Sequence, residues 1–195
     1  KKPTTALNEN EAMLNLYYSS HDPEGDDNEP IEFDELNTAY HDGPVAFFDK
    51  ERRVVFTRSN MKGKKAVASG RGRVNLKLYF AQLRDDGKLG QVQSFQYNDD
   101  NYSISHPWIS EDGNTLYFVS DMPGGFGGTD IYVCSRQDGD WSKPKNLGND
   151  INTIGNEFYP YLLNDSTMYF ASNGHGGLGG LDLYVSYLRE GEFTF

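Results

Sequence analysis

A ten-residue stretch that returns after a fixed interval constrains this chain more than any other feature. Gly124 to Val133 reads Gly-Gly-Phe-Gly-Gly-Thr-Asp-Ile-Tyr-Val, and Gly176 to Val185 reads Gly-Gly-Leu-Gly-Gly-Leu-Asp-Leu-Tyr-Val, an offset of 52 residues. A single glycine loop of this kind suggests a phosphate cradle. A repeated one is punctuation between two strands, and a repeat takes precedence over any local motif.

The flanking residues repeat as well. Three segments align: Gly43-Pro44-Val45-Ala46-Phe47-Phe48-Asp49 with Val54 to Asn60, His106-Pro107-Trp108-Ile109 with Leu116 to Asp121, and Tyr159-Pro160-Tyr161-Leu162 with Met168 to Asn173. Each is a proline, a short apolar strand, an acidic turn and a second strand, which predicts a β-hairpin. Asp112-Gly113 suits a tight turn because glycine accepts positive φ without steric cost. A third strand follows at Leu76 to Leu83, Ile131 to Ser135 and Leu183 to Tyr187. A polar turn and an edge segment opened by Leu89, Trp141 and Phe193 complete each unit. The 13 Tyr, 12 Phe and 21 Gly fit aromatic strands separated by glycine turns.

Four short antiparallel strands in about 50 residues is the period of a propeller blade. The predicted fold is therefore all-β, with about three blades near residues 43–99, 106–153 and 157–195. Leu36-Asn37-Thr38 matches Ile151-Asn152-Thr153 and supplies a lead-in to the first blade. Propellers close with four to eight blades, so 195 residues are expected to be part of a longer protein.

Residues 1–32 do not share the repeat. Asn10 to Tyr18 suggests a short helix, with Ala12, Met13, Leu14 and Leu16 as its apolar content. Asp22 to Glu35 holds eight acidic residues and two prolines and reads as a solvated linker. The first blade also departs from the pattern. Met61 to Val74 replaces its glycine loop and brings Lys62, Lys64, Lys65, Arg71 and Arg73 together, the only basic cluster in the chain. Loops inserted at a propeller rim are frequent contact sites, and these five residues are the candidate partner contact. The plainer reading is a solvated hairpin tip.

Charge and motifs exclude several functions. A net charge of −11 argues against nucleic acid, whose binders take their affinity from basic patches. The glycine loops lack the Lys-Ser/Thr of a P-loop and lead into strands, so no helix N-terminus faces an anion. Asp121, Asp130, Asn173 and Asp182 offer oxygens for calcium, but without EF-hand spacing and with few acidic ligands per loop; no cofactor is assigned. His21, His41, His106 and His175 fall at unrelated positions without zinc spacing, and a local hydrogen bond is expected for His106 and His175. Cys134, the single cysteine, lies in an apolar run and reads as a buried, inert thiol. No Gly-x-Ser-x-Gly elbow is present. Ser110 to Thr115 is similar to the Asp-box turn of sialidases, a structural element. No stretch approaches the roughly 18 apolar residues of a membrane span.

Taken together, His106-Pro107, Ser110-Glu111-Asp112-Gly113, Leu116-Tyr117-Phe118, Ser120 to Gly125 and Gly128 to Val133 resemble the WD-repeat-like, TolB-like propeller blades of Bacteroidetes cell-envelope proteins of the OmpA family. Pro144 to Leu147 with Ile151-Asn152-Thr153 and Glu157 is similar to their inter-blade segment, and so is Leu36-Asn37-Thr38 with Gly43-Pro44-Val45 and Phe56-Thr57-Arg58. The resemblance covers residues 33–195. It implies a propeller between a helical tetratricopeptide-repeat segment and a carboxypeptidase-regulatory-like domain, with an OmpA-like peptidoglycan-binding domain beyond. It further implies a periplasmic, outer-membrane-associated scaffold of the PorE type, serving type IX secretion or gliding and binding other envelope proteins. Peptidoglycan binding would belong to the separate OmpA-like domain. The alternatives are the propeller of a glycan hydrolase or peptidase, and a spacer with no ligand of its own.

Overall fold

The computed structural model describes residues 14–19 and 29–194, which form strands, turns and connecting segments without a helix. An N-terminal hairpin pairs β1 (Tyr17–Tyr18) with β2 (Ile31–Glu32). The first blade contains β3 (Asp42–Phe48), β4 (Arg53–Ser59), the inserted hairpin β5 (Met61–Lys62) and β6 (Lys65–Ala66), then β7 (Leu76–Gln82) and β8 (Gln93–Ser94). Its sheet runs β3-β4-β7-β8, and β5-β6 pair only with each other. The second blade contains β9 (Ile104–Ile109), β10 (Thr115–Ser120), β11 (Asp130–Gln137), β12 (Asp140–Trp141) and β13 (Lys145–Asn146). β12 and β13 share the outer edge of β11. They are separated by Pro144, which has no N–H to give to a ladder. The third blade runs β14 (Glu157–Asn164), β15 (Thr167–Ser172), β16 (Asp182–Arg189) and β17 (Glu192–Thr194).

Each blade opens on the expected hairpin, and each first strand is bulged at its X-Pro step. The pairing shifts at Asp42/Val45, opposite Tyr117/Val119, and at Phe158/Tyr161. Gly43, His106 and Tyr159, each just before the proline, hold φ of 91°, 51° and 55°. A bulge is where a strand tolerates both a missing donor and a left-handed residue.

The blades pack face to face. Successive side chains of a strand point to opposite faces, so β10 sends Leu116 and Phe118 toward the first blade and Tyr117 and Val119 toward the third. Phe48, Val55, Leu78 and Phe95 meet Ile104, Phe118, Cys134 and Trp141 at the first joint. Ile131 and Tyr117 meet Leu162, Met168, Phe170 and Phe193 at the second. Each fully buried Phe or Leu stabilises its joint by about 2–3 kcal/mol.

One polar device recurs at these joints. Asn152 accepts the Ile131 N–H at 2.7 Å and donates to the Ile131 carbonyl at 2.9 Å. Asn98 brackets Leu78 in the same way, at 3.0 and 2.7 Å. Asn37 brackets Leu16, at 2.8 and 2.9 Å. The same carbonyls also accept the N–H of Leu147, Phe95 and Phe33 respectively. Leu16 thus stands where Leu78 and Ile131 stand in their blades.

This corrects the reading of the N-terminus. Where a helix was expected over Asn10 to Tyr18, residues 14–19 are extended and Tyr17–Tyr18 is a strand; residues 10–13 lie outside the described residues. Of the expected linker over Asp22 to Glu35, residues 29–35 are described and Phe33 packs onto the first blade; residues 20–28 lie outside the described residues. The hairpin supplies third and fourth strands against which Leu36, Val54, Phe56 and Ala81 are buried, with Leu16 and Phe33 beside them. Packing of the half-buried Leu16 and the Asn37 bracket override the weak local preference for helix.

Candidate functional site

The five candidate contact residues sit on or beside the hairpin that leaves the first blade between β4 and β7. Lys62 and Lys65 are opposite one another in its two-residue ladder. Lys62, Lys64, Lys65, Arg71 and Arg73 are all exposed. Like charges directly opposite repel, and the short ladder holds them together at its tip. The base is anchored on the polar side: Asn60 donates to the Asp100 carboxylate at 2.9 Å, and Asn75 donates to the Asp100 carbonyl at 2.8 Å. The ammonium of Lys77 also bonds that carboxylate and holds Asp100 below the usual carboxylate range. Arg73 pairs with Asp121 of the second blade at 3.1 Å. The structure therefore separates Arg73 from the other four. Lys62, Lys64, Lys65 and Arg71 have no ion pair among the described residues.

A second feature lies beside this base and was not found from the sequence. A cleft of about 470 Å³ opens between the first strands, lined by Leu14, His41, Pro44, Arg73, His106 and Tyr159 among others. His106 is held against the rings of Phe158 and Tyr159, at 5.3 and 4.5 Å between centroids, and its Nδ1 is 2.8 Å from the Ser105 hydroxyl. Burial pushes its pKa down to about 4, so the imidazole is neutral at physiological pH. Tyr159 remains largely exposed. The signal in the sequence was the X-Pro head of each repeat, which brings the equivalent positions His106 and Tyr159 side by side.

The glycine loops have the structural role that their repetition suggested. The Asp130 carboxylate accepts the Phe126 N–H at 2.6 Å and the Asn146 amide at 2.8 Å. A Cβ on Gly125 would lie 2.3 Å from that carboxylate, and one on Gly127 would lie 2.3 Å from the Thr153 carbonyl. Glycine is needed because the loop presses on its own Asp and on the next lead-in segment. Asp182 accepts the Gly179 N–H in the third blade.

The four oxygen donors weighed for calcium are engaged separately. Asp121 accepts the Ser103 N–H and pairs with Arg73, Asn173 accepts the Asn156 N–H, and Asp130 and Asp182 serve their own loops. No group of three or more His, Cys, Asp or Glu suited to a metal occurs among the described residues. The His175 Nε2–H donates to the Ile151 carbonyl at 2.9 Å, a bond to the lead-in segment 24 residues earlier where a local one was expected. Cys134 is fully buried, and burial pushes its thiol up to about 12. No helix among the described residues is long and apolar enough to cross a membrane.

No protein-family model matches the sequence, and no curated protein matches it. Among the solved structures that resemble it is TolB from Acinetobacter baumannii, with 16% identity and a TM-score of 0.46. The match covers 85% of this chain and 34% of that one, so the chain spans about a third of the length of that structure.

Proposed function

We propose that this chain is a non-catalytic interaction module of the bacterial cell envelope, and that the inserted hairpin of its first blade is the partner contact. The carrying observation is Lys62, Lys64, Lys65 and Arg71 exposed and without ion pairs among the described residues, on a chain whose net charge is −11. Their field selects an acidic surface on a partner protein, because complementary charge accelerates encounter and suppresses wrong partners. The adjoining cleft offers a neutral imidazole, an exposed tyrosine ring and apolar walls beside Arg73. An acidic segment held at the hairpin would reach an aromatic contact there.

The motif resemblance supports the finer address: a periplasmic, outer-membrane-associated scaffold of the type IX secretion or gliding machinery, with peptidoglycan reached only through a separate domain. Four carboxylates buried or half-buried in the blades serve the fold and not the hydrolase or peptidase reading. Asp42, Asp130, Glu157 and Asp182 bond backbone amides within the blades and their joints, where a glycosidase would aim two carboxylates into a cleft.

Replacing residues 61–74 by a two-residue turn tests the proposal in native cells. Recovery of envelope partners after cross-linking is expected to fall at least tenfold while the blades stay folded. Unchanged recovery and unchanged secretion would identify a spacer instead.

A further inference from the structure

Two arginines face the first joint from opposite sides, and neither has a counterpart in the other blades. Side chains alternate along a strand, so Arg53 in β4 shares the face of Val55, and Arg136 in β11 shares the face of Cys134. Val55 and Cys134 are buried together in that joint. The register puts Arg53 opposite Gln82, where the second and third blades pair Thr115 with Ser135 and Thr167 with Tyr187. The 52-residue offset puts Leu188 where Arg136 stands. The repeat therefore forms its sheets with uncharged residues at both positions.

Both guanidiniums are held over rings of the core. Arg53 lies 4.9 Å from the centroid of Phe48, and Arg136 lies 5.2 Å from that of Trp141. Gln96 fixes Trp141 by accepting its N–H at 3.4 Å and donating to its carbonyl at 3.1 Å. Trp141 in turn stacks on Phe80 at 5.8 Å. Phe80 and Arg53 line a cleft of about 450 Å³ together with Arg52, Gln82, Gln91 and Gln93, a size within the roughly 300–1,000 Å³ of small-ligand pockets. The three glutamines are exposed, and their amides make no hydrogen bond among the described residues. Nearby acidic groups leave the arginine pair unneutralised. Asp49, which also lines the cleft, is taken by Arg52 at 2.7 Å. Neither Arg53 nor Arg136 has an ion pair among the described residues, and Arg136 donates through Nε to the Gly139 carbonyl at 3.2 Å. Burial, and after it the Arg53 charge, lower the Arg136 pKa below its ordinary value, against a smaller upward pull from Asp140.

We infer that this cleft binds an acidic saccharide, whose oxyanion group bridges the Arg53 and Arg136 guanidiniums and whose hydroxyls bond the three glutamines. A guanidinium presents its donors as a planar fork that fits a carboxylate or a phosphate through two parallel bonds. An anion between the two forks also removes the repulsion of like charges across the joint. A glutamine amide both donates and accepts, as a hydroxyl does, so the glutamines separate a sugar from a bare counter-ion. The charged group is a uronic carboxylate or a phosphate ester, which offer the fork the same pair of oxygens. Arg53 opens β4 and the inserted hairpin follows its other end, so this site is independent of the partner taken by the hairpin.

Titrating glucuronate and glucose 1-phosphate into the full chain tests this, with glucose and inorganic phosphate as controls. The signals followed by NMR are the Nε–H of Arg53 and Arg136 and the side-chain amides of Gln82, Gln91 and Gln93. At least one acidic sugar is expected to shift both arginine signals saturably and to bind about tenfold or more tighter than either control; the tighter of the two identifies the acid. Arg53→Lys, which keeps the charge and loses the fork, and Arg136→Gln are each expected to weaken binding about tenfold or more while the backbone amide spectrum stays folded. Inorganic phosphate binding as tightly as the acidic sugars would reduce the site to an ion site and overturn the inference. Glucose binding equally well, the absence of any saturable shift, or full affinity in Arg53→Lys would overturn it too.

Discussion

Asn152 satisfies both main-chain groups of Ile131 with one amide and bonds Asn146 as well, all within a buried joint. Asn152→Ala leaves a buried N–H and part of a carbonyl unpaired, and each such group costs about 1–3 kcal/mol. Urea unfolding should therefore show a loss of about 3 kcal/mol, and Asn152→Asp should not restore it because a carboxylate has no N–H for the Ile131 carbonyl. His106 makes a different prediction. Its folded pKa of about 4 lies below the ordinary 6.5, so between those values the unfolded chain takes up a proton that the folded chain refuses. Stability from this group is therefore complete above about pH 6.5 and falls as pH drops toward 4, by about 3 kcal/mol in all. His106→Asn keeps a residue that tolerates positive φ and should flatten that part of the pH–stability curve, whatever it does to the baseline. A slope that survives the substitution would assign it to other groups.

At the scale of the element, the glycine loops separate packing from mere turn-making. Gly127→Ala drives a methyl group into the Thr153 carbonyl and should destabilise by about 2–3 kcal/mol in thermal or urea unfolding. Gly176→Ala, in the matching loop, meets nothing within 4 Å and should be close to neutral. The loops, hairpins and third strands of residues 106–194 were legible because a fixed offset aligns them and alternating side chains set the faces. The N-terminal hairpin was not. Leu16-Tyr17-Tyr18 is too short for a period-2 signal, and its neighbours Ala12 to Leu16 read locally as helix. A longer-range signal was present: Leu16 to Asn37, Leu78 to Asn98 and Ile131 to Asn152 are separated by 21, 20 and 21 residues. Its meaning depends on knowing that the asparagine faces the earlier strand, and sequence spacing does not convey that.

For the whole molecule, three equivalent sheets place unlike features on one rim. The basic insertion was legible as an interruption of the repeat, whereas the cleft beside it was not, because it forms only when the first strands of successive blades come together. Arg73 links the two, lining the cleft while pairing with Asp121. The central claim is that an acidic partner is held at Lys62, Lys64, Lys65 and Arg71. Site-specific photo-crosslinking in native cells tests it most directly, with the reactive group at Lys64 and a control at Asp138, in the β11–β12 turn. A defined envelope-protein adduct from position 64, reduced about tenfold or more by reversing the charges of Lys62, Lys65 and Arg71, is the predicted result. Equal labelling from both positions, or an adduct at 64 indifferent to those charges, would contradict it.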